Sequence, residues 1–331
     1  MNSPIFTTDV FVTDEPIVGQ FHKMLNDRWR NEFYYNAIFQ SVKDKVVLDM
    51  GTGSGIFAHY ALAAGAKFVY AVEFNYSHAL LAEKVLSKNF SRDKFKIINH
   101  NFWAINLSQH LDHEIDVFIS CNIGPGLFDC GMVKSWQTIK PYLSKNAISI
   151  PDKLHFDVWI WDYDVTIPFE NQPHIVTGEL LPNMFKIYPS GMVDMKFAEA
   201  IIEVSNEFKE TNFAAFKEKM KWVEINKVQK PPIKKCSDVL FFTMDQINDN
   251  EPDISFNLEL EENCCIGVIN KISYNSDTIY LKDGLNLPWN YNPVFYIKDA
   301  DNYNFKWLNY ELKPISFNGE WVKAKNKYPL K

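Results

Sequence analysis

A buried strand, a tight glycine turn, a helix, and a second strand ending in an acid together narrow most what this chain can fold into. The residues are Val46-Val47-Leu48-Asp49-Met50-Gly51-Thr52-Gly53-Ser54-Gly55, with Glu73 closing the next strand. An open α/β sheet builds a nucleoside pocket in this way. Glycines let the backbone approach the ligand, and the acid takes two ribose hydroxyls. The spacing excludes two kindred motifs. Ile56 stands where a dinucleotide fingerprint places its third glycine, and no lysine follows the turn, so a phosphate-cradling P-loop is ruled out.

Around this turn the first half alternates strand and helix. "NDRWRNEFYYNAIF" has apolar residues at helical spacing, and a strand is predicted over Lys45 to Asp49. The turn opens a helix through Ile56, Tyr60 and Leu62 that stops at Gly65. A strand from Phe68 to Glu73, a helix from His78 to Leu86 and the strands "FKIINH" and "IDVFIS" follow. Strands separated by helices imply a parallel sheet with right-handed crossovers. Ligands bind at the carboxyl ends of such strands, where Gly51, Glu73, His100 and Cys121 should gather. From about residue 151, period-two segments such as "HFDVWIWDYDV", "ISFNLEL" and "CCIGVINKI" predict an antiparallel barrel or sandwich. Residues 177–221 break that pattern with the helical "FAEAIIEVSNEFKETNFAAFKEKM", a candidate oligomerisation arm or an elaborated loop. "QKPPIKK" reads as a solvated connector.

With 331 residues the chain has room for two domains. Its net charge of -7 argues against a general nucleic-acid binder, which carries a basic face. Five cysteines and eight histidines show no metal-ligand spacing, so no metal is expected. No apolar run is long enough to span a bilayer, and the amino terminus lacks the basic and apolar regions of a signal peptide. A cytoplasmic protein without membrane or nucleic-acid partners is expected.

The G-x-G-x-G turn after "VVLDM" looks like the S-adenosylmethionine (SAM) site of a class I methyltransferase. Over essentially its whole length the chain resembles the protein arginine methyltransferases. "MLNDRWRNEFYYNAIF" resembles the family's opening helix, and "KDKVVLDMGTGSGIFAHYALAAGAKFVYAVE" its SAM motif. "IDVFISCNIGPGLFDCG" sits where the family has its double-glutamate loop, and "LPWNYNPVFYI" where it has its Thr-His-Trp loop. The resemblance implies a Rossmann-like SAM domain over 1–150 and a substrate β-barrel over 151–331, with a dimerisation arm within about 177–221. It also implies a homodimer and S-adenosylhomocysteine (SAH) as product. Arg30 then matches the arginine that holds the SAM carboxylate, and Gly51, Gly53 and Gly55 match the turn. Glu73 matches the ribose acid and Asp49 the acid that orders the turn. Where the family places a small apolar residue and a glutamate beside adenine, this chain has Phe102 and Trp103. They could stack on adenine or pack under a loop.

The acceptor half departs from the family. Its two glutamates fall at Cys121 and Cys130, and its histidine at Pro288. A buried substrate guanidinium beside a sulfonium needs compensating charge. Stripping the partners from a buried ion costs about 3–5 kcal/mol. Cys121 has no cationic neighbour in sequence that would favour a thiolate. A glutamate placed there is therefore expected to be a buried, unpaired charge. The favoured expectation is a methyltransferase acting on a non-guanidinium small molecule or biosynthetic peptide. Its acceptor pocket would draw on Cys121, Asn122, Cys130, Trp289, Asn290 and Tyr291, with Tyr34 and Tyr35 closing over it. His100 is the general-base candidate, and Cys121 and Cys130 are candidates for a chemical role. The alternatives are an arginine N-methyltransferase using another acid, such as Asp129, and a catalytically silent homologue acting as an interaction protein.

Overall fold

The structure is a computed structural model. It describes residues 5–6, 24–25, 27–102, 105–123, 132–162, 193–207, 233–243, 255–262, 264–280, 294–297, 301–308 and 311–316. Trp103, Cys130, Pro288 and Trp289 lie outside these residues, as does most of the 177–221 segment.

Six strands form a parallel sheet: β1 (Ile5–Phe6), β2 (Val46–Met50), β3 (Phe68–Glu73), β4 (Phe95–Asn99), β5 (Ile115–Ser120) and β6 (Leu143–Ile150). Their order is β1-β4-β3-β2-β5-β6. Every residue of β2 is buried, which explains why it is apolar but for Asp49: helices cover both faces of the sheet. Those helices are α1 (Arg28–Ser41), α2 (Ile56–Ala63), α3 (Tyr76–Asn89) and α4 (Met132–Ile139). The sequence places the first strand one residue early and starts α3 two residues late. Asn75 explains the second difference: its Oδ1 accepts from the Ser77 and His78 amides and caps the helix ahead of His78. The strand order reverses beside β2, between β3 and β5. The carboxyl ends of β2 and β5 therefore flank the crevice where open α/β sheets bind ligands.

The parallel sheet ends with β6, and antiparallel pairing begins with β7 (Lys153–Asp162). β7 pairs with β8 (Ile233–Thr243) and with β10 (Cys264–Tyr274), which also pairs with β11 (Asp277–Tyr280) and β12 (Val294–Ile297). A second antiparallel sheet holds β9 (Ser255–Leu260), β13 (Asp301–Leu308) and β14 (Glu311–Ser316). The two halves meet where the buried Ser41 hydroxyl of α1 hydrogen-bonds the Tyr274 hydroxyl of β10 at 2.5 Å.

Of the segment 177–221, residues 193–207 are described, and they hold α5 (Met195–Glu207). Phe197, Ile201 and Val204 recur at helical spacing and are fully buried. The helix lies along α3, where Lys88 pairs with Glu203 at 2.6 Å and Asn89 donates to the Lys196 carbonyl at 3.3 Å. This stretch of the expected arm therefore packs on its own domain. Among the described residues no helix is long and apolar enough to cross a membrane.

Candidate active site

The glycine turn closes onto the acid of the neighbouring strand. Gly51, Gly53 and Gly55 have φ values of +78°, +55° and +83°, in the left-handed region that favours glycine. The Gly51 and Thr52 amides both donate to the Val72 carbonyl at 2.9 Å, and the Gly53 amide donates to Glu73 Oε2 at 2.9 Å. Glu73 Oε1 accepts from the Asn75 amide at 2.9 Å. Burial pushes the Glu73 carboxyl up to about 7, despite these two donors. His78 Nδ1 lies 3.9 Å away from Glu73 Oε1, but burial lowers its pKa to about 4. The imidazole is thus neutral at neutral pH, and the two do not form an ion pair.

Asp49 serves the turn from below. Its Oδ2 accepts from Thr52 Oγ1 at 2.6 Å and from the Ala58 amide at 3.1 Å, joining β2, the turn and α2. Burial raises its pKa to about 6. Its Oδ1 is buried without a hydrogen-bond partner among the described residues, an acceptor left open beside the turn. Two glycines are also required by close approach. A Cβ on Gly51 would stand 2.5 Å from Asn122 Oδ1, and one on Gly55 would stand 3.3 Å from the Ala82 backbone of α3.

Arg30 enters from α1 and is buried. Its Nη1 donates to the Met24 carbonyl at 3.2 Å and to Asn31 Oδ1 at 3.0 Å. The guanidinium carbon lies 4.7 Å from the Phe57 ring centroid and 5.7 Å from that of Tyr34. Its Nε donates to Cys121 Sγ at 3.4 Å. Burial works against the Arg30 charge, but Cys121, Tyr34 and Asp27 outweigh it and raise the pKa, so the group stays cationic. The cation that the sequence neighbourhood of Cys121 lacks is thus supplied by a helix 91 residues away. A carboxylate at position 121 would meet this guanidinium, which removes the reason for expecting an unpaired charge there.

The remaining sequence candidates separate. The Tyr34 hydroxyl donates to the Ser120 carbonyl at 3.0 Å, and its ring stacks on Phe57 at 4.1 Å, fully buried. Tyr35 instead stacks on Phe39 at 4.1 Å and meets Tyr60 edge-on. The His100 amide donates to the Glu73 carbonyl, but its ring bonds the Asn101 carbonyl and lies 5.9 Å from the His110 ring. The structure therefore brings its backbone, not its imidazole, to the strand ends. Phe102 is buried in the apolar core. Asn122 points Nδ2 at the Met50 carbonyl, 3.2 Å away, and at Ser135 Oγ, 3.4 Å away. It ties the end of β5 to the glycine turn and α4, a role sequence reasoning missed. Asn75 was missed too, although an Asn just before a helix is a recognisable cap signal. Among the described residues no cluster of three or more His, Cys, Asp or Glu could hold a metal.

A Rossmann-like parallel sheet with a glycine turn and a buried acid at the carboxyl ends of its strands is the arrangement by which open α/β folds hold a nucleoside. The family description of the ribosomal protein L11 methyltransferase (PrmA) matches residues 35–126, which hold the turn and Glu73. A Xenopus laevis protein arginine N-methyltransferase 9 is 33% identical over 114 residues, 34% of this chain and 14% of that protein. A Caenorhabditis elegans protein arginine N-methyltransferase 1 is 32% identical over 139 residues, 41% of this chain and 40% of that protein. The chain thus spans well under half the length of these curated relatives. Among solved structures, a Trypanosoma brucei PRMT1 enzyme-prozyme heterotetrameric complex with AdoHcy has TM-score 0.54 and 18% identity, covering 87% of this chain and 86% of that one. Another, PRMT6, has TM-score 0.57 and 15% identity, covering 89% and 95%. Both share the fold. Over these stretches the chain is similar to SAM-dependent methyltransferases, the arginine N-methyltransferases among them, and it shares the fold of the solved PRMT structures.

Proposed function

We propose that the protein is a SAM-dependent methyltransferase with a remodelled acceptor site, acting on a non-guanidinium small molecule or biosynthetic peptide. The observation that carries the cofactor reading is the Gly53 amide held on the Glu73 carboxylate at the carboxyl ends of β2 and β3. The left-handed glycines and the open Asp49 Oδ1 fit a polar ligand lying on the turn. In this reading Glu73 accepts the ribose hydroxyls. Arg30 grips the carboxylate with charge-assisted bonds. Gly51, Gly53 and Gly55 give the backbone room, and Phe102 with Trp103 borders the base. Bound SAM supplies the methyl group and, as a sulfonium, its own leaving group. The chain's residues align donor and acceptor and exclude water.

Cys121 supports the acceptor reading. It is a part-exposed thiol facing a guanidinium, so this wall of the site presents no carboxylate to a cationic acceptor. Cys130 and Trp289 complete the acceptor side in this reading. The β-barrel over 151–331, a dimerisation arm within about 177–221, homodimerisation and a cytoplasmic location belong to the same proposal. The test uses purified protein, label-bearing SAM, and separated metabolite and protein fractions of a source-cell extract. Label in the metabolite fraction, or on residues other than arginine, supports the reading. Label on protein arginine overturns the acceptor assignment, and absence of SAM binding by calorimetry overturns the cofactor assignment.

A further inference from the structure

One fully buried polar ring of the sheet domain touches nothing at the cofactor turn. His59 lies on α2, edge-on to Phe90 at the end of α3 and to Phe197 of α5, with ring centroids 4.9 and 5.2 Å apart. Its Nδ1 has no hydrogen-bond partner among the described residues, and its Nε2 lies 3.4 Å from Asp194 Oδ1. Asp194 opens α5: the same Oδ1 accepts from the Lys196 and Phe197 amides at 2.9 and 3.1 Å. His59 first, and then these amides, hold the Asp194 carboxyl below the usual carboxylate range. Burying an imidazole among rings costs free energy unless a polar group meets it, and the group that does so caps a helix distant in the chain.

On the SAM reading of the glycine turn, we propose that His59 is a positioning residue for cofactor binding: pinned to α5 through Asp194, it holds α2 and the turn in place. α2 grows directly out of the turn, since the Gly55 carbonyl accepts the His59 amide at 2.8 Å. Both residues before His59 serve the cofactor end. The Ala58 amide donates to Asp49 Oδ2 at 3.1 Å. The Phe57 ring stacks on Tyr34 at 4.1 Å and lies 4.7 Å from the Arg30 guanidinium carbon. Residues two apart on an α-helix stand about 200° around its axis, so Phe57 and His59 face nearly opposite sides. α2 is thus a short rod between Arg30 and α5. Hydrophobic packing is non-directional, so the polar contact of Nε2 with one carboxylate ties the rotation of α2 to the cap of α5.

The test is calorimetric titration of the full chain with SAH, beside thermal unfolding and amide hydrogen exchange. His59→Phe keeps the aromatic packing and loses the polar contact, while Asp194→Asn keeps a capping oxygen and loses the charge. Each should weaken SAH binding by roughly fivefold, and the double variant by no more than either, as for one coupled contact. His59→Phe should do so without lowering the melting temperature, a split that a merely structural role would not give. His59→Gln, whose amide can take the place of Nε2, should bring affinity back to within about twofold of wild type. Ile201→Val loosens the packing of α5 without touching the pair, and should lower the melting temperature while sparing SAH affinity. In the ligand-free protein the Ala58 and His59 amides should exchange faster in His59→Phe than in Ile201→Val. Wild-type SAH affinity in His59→Phe, or unchanged exchange at these two amides, overturns the proposal. Exchange is read without ligand, so a wild-type chain that fails to bind SAH refutes the cofactor reading, while the positioning of α2 is still decided.

Discussion

The carboxyl ends of β2 and β3 lie beside that of β5 in one sheet, yet they treat charge in opposite ways. At β3 a buried acid is met by backbone amides, from Gly53 and Asn75, and carries a raised pKa. At β5 a buried guanidinium from α1 meets the Cys121 sulfur. In the proposed reading the first end accepts hydroxyl donors. The second keeps its cation, with Cys121, Tyr34 and Asp27 around it. The two ends are set by different residues, so either can change without the other.

The largest effect that could break this contrast is at Glu73. Glu73→Ala should weaken SAM binding by about a hundredfold, because two hydrogen bonds to an ionised group are lost. Calorimetry reads this directly, and unchanged affinity would take the acid off the ribose. Arg30→Met should cost roughly 10- to 100-fold in SAM affinity, and Arg30→Lys less, since lysine keeps charge but not the fork. If Arg30→Met spared SAM binding, the guanidinium would belong to the acceptor side instead.

Acidity separates the two ends further. Below about 7 the ligand-free Glu73 holds a proton. Binding hydroxyl donors favours the carboxylate, so SAM affinity should fall as pH drops through about 7, approaching roughly tenfold per unit. Glu73→Gln should flatten that profile. For ligand-free stability the sign differs. Asp49 and Glu73, raised to about 6 and about 7, bind protons in the fold that the unfolded chain has released above about 4. They remove stability as pH rises across that window. His78, lowered to about 4, acts oppositely between about 4 and 6.5, because the unfolded chain protonates it first. His78→Phe should therefore steepen the loss of stability from pH 4 to 6.5, measured by urea unfolding.

Smaller effects probe the seam between the ends. Gly51→Ala meets both a φ of +78° and the Asn122 amide. A loss of about 1–2 kcal/mol from the left-handed backbone is expected, plus the clash. Adding Asn122→Ala should recover only the clash. Full recovery would mean that backbone strain contributes nothing. The smallest change should be Cys121→Ala, with SAM affinity altered less than about threefold because a thiol is a weak acceptor. Cys121→Glu should fold with near-wild-type thermal stability, since Arg30 is there to pair with it. A large drop in melting temperature would show that Arg30 turns elsewhere.

The spacing of apolar residues made β2, β3, β4 and β5 legible within a residue, because a doubly covered strand is apolar along most of its length. Gly51, Gly53, Gly55 and Glu73 were legible for a related reason: the left-handed turn and the acid at a strand end are local demands. His100 shows where such reasoning stops. Position at a strand end fixed its backbone, while its ring was drawn to Asn101 and His110.

By itself the sequence determined the parallel sheet, the glycine turn, its acid and the change to antiparallel strands after residue 150, since each follows from a local period or a local dihedral need. Only the tertiary structure decided that Arg30 faces Cys121, that Asn122 lies against Gly51, and that His59 meets Asp194. The physical reason is that compensation of a charge depends on what lies across a few ångströms of space, and those partners come from elements far apart in the chain.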